Sequence, residues 1–107
     1  MDNEVNILIV DDDIKIADLL KIHFLSFGGV SCQTVNSAKE AYEALENEEF
    51  QVIISDLHMP EVDGLELLGE LNEKYPLLIK ILFTGFGDLN SFHSELKKCG
   101  VSNFISK

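Results

Sequence analysis

The chain has 107 residues, a hydrophobic fraction of 46% and a formal net charge of −11 at pH 7, which fits one globular domain spanning residues 1–107. The acidic balance argues against nucleic acid as the direct partner, because phosphate binding needs clustered lysine and arginine. We find neither a signal peptide nor an apolar run of membrane-spanning length, so we expect a cytoplasmic protein with no membrane partner.

The first third of the chain reads as strand, helix, strand. The apolar run at residues 6–10 predicts a buried strand. From Ile14 the apolar spacing changes to three and four residues, which predicts an amphipathic helix capped by Asp13 and stopped at Gly28. Residues 30–35 predict a second, less apolar strand. The apolar face of the helix comprises Ala17, Leu20, Phe24 and Phe27.

The middle of the chain repeats this alternation. Ser37 and Glu40 have the spacing of a capping box, which places a second helix directly after them. Mostly β-branched apolar residues from Val52 then lead into Ser55 and Asp56, and such a continuous run, rather than strict alternation, is typical of a parallel strand covered on both faces. A third helix follows and ends before Pro76. Its apolar positions are Leu65, Leu68 and Leu71.

The last third predicts one more helix between two strands. Residues 77–83 form an apolar strand, residues 88–100 a helix, and residues 101–107 a fifth strand. The order βαβαβαβαβ predicts an α/β fold, with a doubly wound five-stranded parallel sheet and helices on both faces. A fold of this kind normally carries a helix after its last strand, so we expect that the domain is truncated before its fifth helix.

Polar residues occur where the predicted strands end. Because parallel strands meet at one edge, these residues should lie together. Clustered carboxylates repel one another, and a shared divalent cation offsets that repulsion; oxygen ligands of this kind favour Mg²⁺. A magnesium site beside a hydroxyl and an ammonium group would support attack by Asp56 on a phosphoryl group, giving an acyl phosphate. The residues concerned are Asp11, Asp12, Asp56, Thr84 and Lys107.

Several motifs in the same order closely resemble the receiver domain of two-component response regulators. The resemblance covers the whole chain and implies the flavodoxin-like strand order 2-1-3-4-5, which is the order that the chemotaxis member of the family exemplifies. It rests on residues 7–12 (Ile-Leu-Ile-Val-Asp-Asp), Ser55-Asp56 followed by Met59-Pro60 and Asp63-Gly64, residues 82–85 (Leu-Phe-Thr-Gly), and residues 104–107 (Phe-Ile-Ser-Lys).

The resemblance implies a role for each matching residue at the acidic site. Asp56 would be the phosphoryl acceptor. Asp12 would bind Mg²⁺ directly and Asp11 largely through water, with the backbone carbonyl of His58 as a further ligand. Mn²⁺ would be able to replace Mg²⁺ there.

The resemblance also implies a set of switch residues. Thr84 would turn its hydroxyl toward the phosphoryl group, Phe104 would swing inward as Thr84 moves, and Lys107 would pair with the phosphate. Phe104 as an ordinary core residue remains the alternative. His58 and Phe86 would tune the lifetime of the phosphoryl group. Since Phe86 cannot orient an attacking water, we expect a fairly long-lived phosphorylated state.

The partners follow from the same resemblance. The donor would be a phosphohistidine on a sensor histidine kinase or a phosphotransfer protein. Phosphorylation adds roughly −1.5 to −2 charges, and the surface of the fourth helix and fifth strand, about residues 88–107, would pass this change to an output domain or target protein. A second copy of the same chain, forming a homodimer, is a further candidate partner. The domain would not be an enzyme beyond catalysing its own phosphotransfer and dephosphorylation.

Two other functions are compatible with parts of the pattern. A Mg²⁺-dependent phosphatase of the haloacid dehalogenase type also attacks phosphate with a strand-end aspartate, but that family has a second acid where this chain has His58. A receiver-like interaction module that is never phosphorylated is the other alternative. If the fifth helix is absent, we expect exposure of Ile7, Ile9 and Ile105, and hence self-association.

Overall fold

The computed structural model describes residues 5–56, 64–84 and 101–106. Five strands form one parallel sheet in the order β2-β1-β3-β4-β5, which confirms the predicted α/β fold and strand order. The predicted fourth helix, residues 88–100, lies outside the described residues. The elements are β1 (Val5–Val10), α1 (Ile14–Leu25), β2 (Val30–Val35), α2 (Ala38–Asn47), β3 (Val52–Asp56), α3 (Gly64–Lys74), β4 (Ile79–Thr84) and β5 (Val101–Ser106).

The sheet carries an apolar core on each face, which explains why its central strands are apolar throughout. β3 contributes Ile54 to the core under α1 and Ile53 to the core under α2 and α3. Neither of these side chains is more than 1% exposed. The α1-side core also contains Ile7, Ile9, Ala17 and Phe83; the other core also contains Leu8, Val10, Ala41, Leu67, Leu68, Leu71 and Leu82.

The first two helices begin at the predicted caps. Asp13 Oδ1 accepts hydrogen bonds from two backbone N–H groups in the first turn of α1, at 3.0 and 3.4 Å. Ser37 Oγ accepts from the backbone N–H of Glu40 at 3.2 Å, and the Glu40 carboxylate accepts from the N–H of Asn36 at 2.8 Å. These bonds satisfy N–H groups that have no partner within the helix.

The end of α1 differs from the prediction. The helix ends at Leu25, and Phe27 lies beyond it with 67% of its surface exposed. Gly28 and Gly29 then have φ values of 75° and 72°, a backbone conformation that glycine adopts without steric cost. Phe27 therefore does not belong to the apolar face of the helix.

β4 also starts later than predicted. Leu77 is 95% exposed, and pairing with β3 begins at Ile79, opposite Val52. The backbone N–H of Leu78 donates to the carbonyl of Tyr75 at 3.1 Å, so residues 75–78 form a turn rather than extended strand. The apolar run in the sequence continues through this turn, which is why it suggested a longer strand.

The expected exposure of Ile7 and Ile9 is wrong. They are 5% and 0% exposed, because α1 packs over this face of β1. The apolar surface lies instead on α1 itself, where Leu19 and Ile22 are each 66% exposed. The side chain of Ile105 lies outside the described residues. Among the helices that the structure describes, none combines the length and apolar character that crossing a bilayer requires.

Candidate functional site

The pairing of β1 with β3 places two aspartates side by side. Val10, the last residue of β1, is the register partner of Ser55. The residues that follow them, Asp11 and Asp56, therefore lie at the same level of the sheet edge. Asp11 is 1% exposed and Asp56 is 4% exposed. The carboxyl edge of the sheet therefore holds two buried carboxyl groups, as the sequence predicts.

Asp12 completes a cluster of three carboxylates. One oxygen each from Asp11, Asp12 and Asp56 lies within 4.8 Å of the other two, and Asp12 is exposed whereas the other two are buried. Unit charges at about this separation repel by roughly 3 to 4 kcal/mol at an effective dielectric constant of about 20, and by less in the pairs that include the exposed Asp12. A divalent cation bound between them would remove that repulsion.

The donor set fits a hard divalent cation. All three groups offer carboxylate oxygen, and Mg²⁺ prefers one or two carboxylates together with several waters. The exposed position of Asp12 opens the cluster to solvent on one side. Because Mg²⁺ keeps several bound waters, a site with one exposed ligand suits it better than a fully enclosed site would.

Hydrogen bonds orient Asp11 within the cluster. Its Oδ1 accepts from the backbone N–H of Asp13 at 2.9 Å, and its own N–H donates to the carbonyl of Val35 at 3.1 Å. Asn36 Nδ2 donates to the carbonyl oxygen of Asp11 at 3.4 Å. Asn36 was not among the predicted site residues; its position directly before the capping box at Ser37 is the signal that could have identified it.

The remaining predicted site residues are only partly described. Thr84 is the last residue of β4, and Phe104 of β5 pairs with Leu82 of β4. Both residues therefore belong to strands that end at the same sheet edge as the acidic cluster. The side chains of Thr84 and Phe104 lie outside the described part of the chain. So do the other predicted residues, His58, Phe86 and Lys107.

β4 also contains a buried cation that the sequence pattern did not predict. Lys80 is 2% exposed, and its Nζ donates to the backbone carbonyl of Leu78 at 2.7 Å. Burial lowers the pKa of the Lys80 ammonium below its usual value of 10.5. Because Lys80 lies four residues before Thr84, about 13 Å along the strand, it does not belong to the carboxylate cluster.

Comparison with known proteins finds relatives along nearly the whole chain. The family model described as the response regulator receiver domain matches residues 7–107. The DNA-binding transcriptional regulator NtrC of Klebsiella pneumoniae is 35% identical over 99 residues, which cover 92% of this chain but 21% of NtrC. The chain thus spans about a fifth of the length of the curated relatives it matches.

Solved receiver structures have the same fold. The signal receiver domain of an HD domain-containing protein from Pseudomonas fluorescens superposes with a TM-score of 0.87 at 29% identity, covering 97% of this chain and 82% of that one. The response regulator TrrA of Thermotoga maritima, in complex with Mg²⁺ and BeF, gives a TM-score of 0.84 at 28% identity, covering 96% and 86%. The chain belongs to the response regulator receiver domain family of two-component signalling systems.

Proposed function

We propose that Asp56 of this receiver domain accepts a phosphoryl group from a phosphohistidine on a sensor histidine kinase or a phosphotransfer protein. The observation that supports this most directly is the convergence of the Asp11, Asp12 and Asp56 carboxylates within 4.8 Å. The structure of a relative in complex with Mg²⁺ and BeF is consistent with such a site.

The transfer needs few groups on the protein. A carboxylate oxygen of Asp56 attacks phosphorus in line with the leaving nitrogen, so that one P–O bond forms as the P–N bond breaks. The bonding electrons return to the imidazole of the donor, and Asp56 becomes an acyl phosphate. Burial of Asp56 at 4% exposure limits the access of water to the carboxyl group.

Asp11, Asp12 and Asp56, together with the backbone carbonyl of His58, would hold Mg²⁺, and Mn²⁺ would be able to replace it. When bound, the cation would neutralise negative charge on the phosphoryl oxygens. Asp11 would serve this site in a fixed orientation, because the N–H of Asp13 already holds its Oδ1 at 2.9 Å.

The response to phosphorylation would run through the neighbouring strand ends. The Thr84 hydroxyl and the Lys107 ammonium would bind the phosphoryl oxygens, and Phe104 would change position with Thr84. His58 and Phe86 would set the lifetime of the phosphorylated state. The surface of residues 88–107 would then bind an output domain, a target protein or a second copy, in the cytoplasm.

Intact-protein mass spectrometry after incubation with acetyl phosphate and MgCl₂ tests this proposal. We expect one added phosphoryl group on the unchanged chain, and none on Asp56→Asn or after chelation of the metal. Asp18→Asn is the matched control, since it removes an exposed carboxylate on α1 and leaves the cluster intact. Its adduct should equal that of the unchanged chain.

The result also separates the proposal from its alternatives. A folded chain that gains no phosphoryl group would favour an interaction module that is not phosphorylated. Hydrolysis of a phosphomonoester such as p-nitrophenyl phosphate over many turnovers would favour a phosphatase instead, because a receiver that dephosphorylates itself also releases phosphate slowly from acetyl phosphate. A stable adduct that persists for much longer than seconds would agree with the slow decay expected from Phe86.

A further inference from the structure

The amino edge of the sheet, opposite the carboxylate cluster, contains a groove that the proposed phosphotransfer does not use. It has a volume of about 760 Å³ and lies between the loop that joins α2 to β3 and the loop that joins α3 to β4. β3 begins at this edge with Val52 and ends at the other with Asp56. The groove is therefore separated from Asp56 by the length of a strand, about 13 Å.

Hydrogen bonds hold both loops to the sheet. The backbone N–H of Gln51 donates to the carbonyl of Asn6 at 3.0 Å, and the N–H of Asn6 donates to Gln51 Oε1 at 2.7 Å. The N–H of Ile79 donates to the carbonyl of Gln51 at 3.0 Å. The groove is thus formed in the folded chain, and a ligand would not need to order it.

The wall of the groove on the α3 side is unusually apolar for an exposed surface. Leu77 is 95% exposed and Ile79 is 47% exposed, and both line the groove. Phe50 and Tyr75, which are half-buried and pack against the core, extend this surface inward. Exposed apolar side chains beside a concave surface are typical of a binding site for an apolar anchor.

The opposite rim is acidic. Glu46, Glu48 and Glu49 are exposed along it, and the cation lining the groove, Lys74, lies 5.7 Å from the centre of the Tyr75 ring. A ligand with positive charge would therefore be attracted, and the net charge of −11 disfavours a second copy of the same chain. Another apolar groove, beside Leu19, has about 270 Å³ and no acidic residue in its lining.

From these features we infer that the groove binds a basic amphipathic segment of another protein. Leucine or aromatic side chains of that segment would contact Leu77, Ile79 and Phe50, while its lysine or arginine side chains would face Glu48 and Glu49. This contact would leave the carboxyl edge accessible to a phosphodonor. The domain would then have two independent binding surfaces at opposite ends of β3.

A labelled model peptide tests this inference with the intact chain. The probe is a fluorescein-labelled helix of leucine and lysine, about 14 residues or roughly four turns long, and its binding is followed by fluorescence anisotropy. A second peptide keeps every leucine and has glutamate in place of lysine. We expect the basic peptide to bind and the acidic peptide not to bind, with an affinity that falls as salt is added.

Substitutions then locate the site. Leu77→Ser should weaken binding about tenfold, since it removes an exposed leucine that the bound peptide would bury. Ile22→Ser on α1, which also removes an exposed apolar side chain, should not weaken binding. Glu48→Gln with Glu49→Gln should weaken binding about threefold or more at low salt. Glu43→Gln with Asp18→Asn changes the net charge equally at exposed positions outside the groove and should have no such effect.

Each remaining outcome would overturn the inference. Failure of the basic peptide to bind at millimolar concentration contradicts it, as does equal binding of the acidic peptide. So does an equal loss of peptide affinity in the groove variants and their controls. Self-association that Leu77→Ser abolishes in sedimentation would assign the groove to a second copy instead. Phosphorylation of Asp56, measured by mass spectrometry on the same variants, should be unchanged, so failure of this inference is distinguishable from failure of the proposed function.

Discussion

The ammonium of Lys80 and the carbonyl of Leu78 form a hydrogen bond of 2.7 Å within β4 and the turn before it. Lys80 is 2% exposed, so this charge lies in the interior, where Asp11 and Asp56 are the buried acidic groups of the described part of the chain. Burial disfavours the protonated form and lowers the pKa of Lys80 below 10.5. The free energy of unfolding should therefore depend on pH in the alkaline range.

We expect the free energy of unfolding to respond to the ionisation of Lys80. The folded state binds this proton less tightly than the unfolded state, so the contribution of Lys80 to stability rises with pH between its lowered pKa and 10.5. Lys80→Met should remove that rise. Urea unfolding at neutral pH and near pH 10.5 measures the difference. Lys39→Met, an exposed lysine on α2, is the control and should keep the rise; the same pH response in both variants would contradict the explanation.

Removing one charge from the acidic cluster should stabilise the metal-free protein. Asp56→Asn relieves repulsion from Asp11 and Asp12 within 4.8 Å, and we expect an increase of about 1 to 3 kcal/mol in the free energy of unfolding. Excess MgCl₂ should stabilise the unchanged chain and have little effect on the variant. Urea titrations with chelator and with MgCl₂ measure both effects. An Asp56→Asn variant that is less stable in chelator would show that the carboxylates do not repel as described.

Tyr42 on α2 should act as a polar link to α3. Its hydroxyl donates to the carboxylate of Glu70, and burial together with this hydrogen bond raises the pKa of Tyr42 above its usual value of 10. Tyr42→Phe should lower the free energy of unfolding by about 1 to 2 kcal/mol. A double-mutant cycle with Glu70→Gln measures the coupling, and additive effects would exclude the link.

In a Tyr75→Phe background, tyrosinate absorbance should appear only above pH 10.

Asn36 should influence cation binding without touching the cation. It holds the carbonyl of Asp11 at 3.4 Å, so Asn36→Ala should loosen the loop that carries two of the three carboxylates. We expect Mg²⁺ binding, measured by calorimetry, to weaken about two- to fivefold. Asn47→Ala is the matched control, because that amide donates to the Glu43 carbonyl at 2.8 Å at the far end of α2. Equal Mg²⁺ affinity in the two variants would show that Asn36 does not influence cation binding.

Local sequence patterns were enough to predict the carboxylate cluster. Asp11 and Asp56 each follow an apolar run, and parallel strands bring such ends together. The caps at Asp13 and Ser37 were equally predictable, because a capping residue acts on the first turn of its own helix. These inferences needed only local pattern and the geometry of a parallel sheet.

What was missed depends on contacts between distant segments. Lys80 reads as a surface residue in an apolar strand, and only the packing around β4 buries it. The early start predicted for β4 at Leu77 was wrong because hydrophobicity does not distinguish a strand from an apolar turn. The groove between residues 47–51 and 75–79 could not be predicted at all, since neither loop has an unusual sequence by itself.

The composition of β3 has a consequence for how the chain avoids misfolding. Ile53 and Ile54 fill opposite cores with the same side chain, so a strand displaced by one residue would keep an isoleucine in the α1-side core and place Ser55 beside Asp11. Such a register would lack the carboxylate that the proposed phosphotransfer requires. The N–H of Asn6 donates to Gln51 Oε1 at 2.7 Å, and its side-chain Nδ2 donates to the carbonyl of Glu49 at 3.1 Å. A displaced strand would break both contacts, so side-chain hydrogen bonds at the amino end of β3 favour the register that places an aspartate at the carboxyl end.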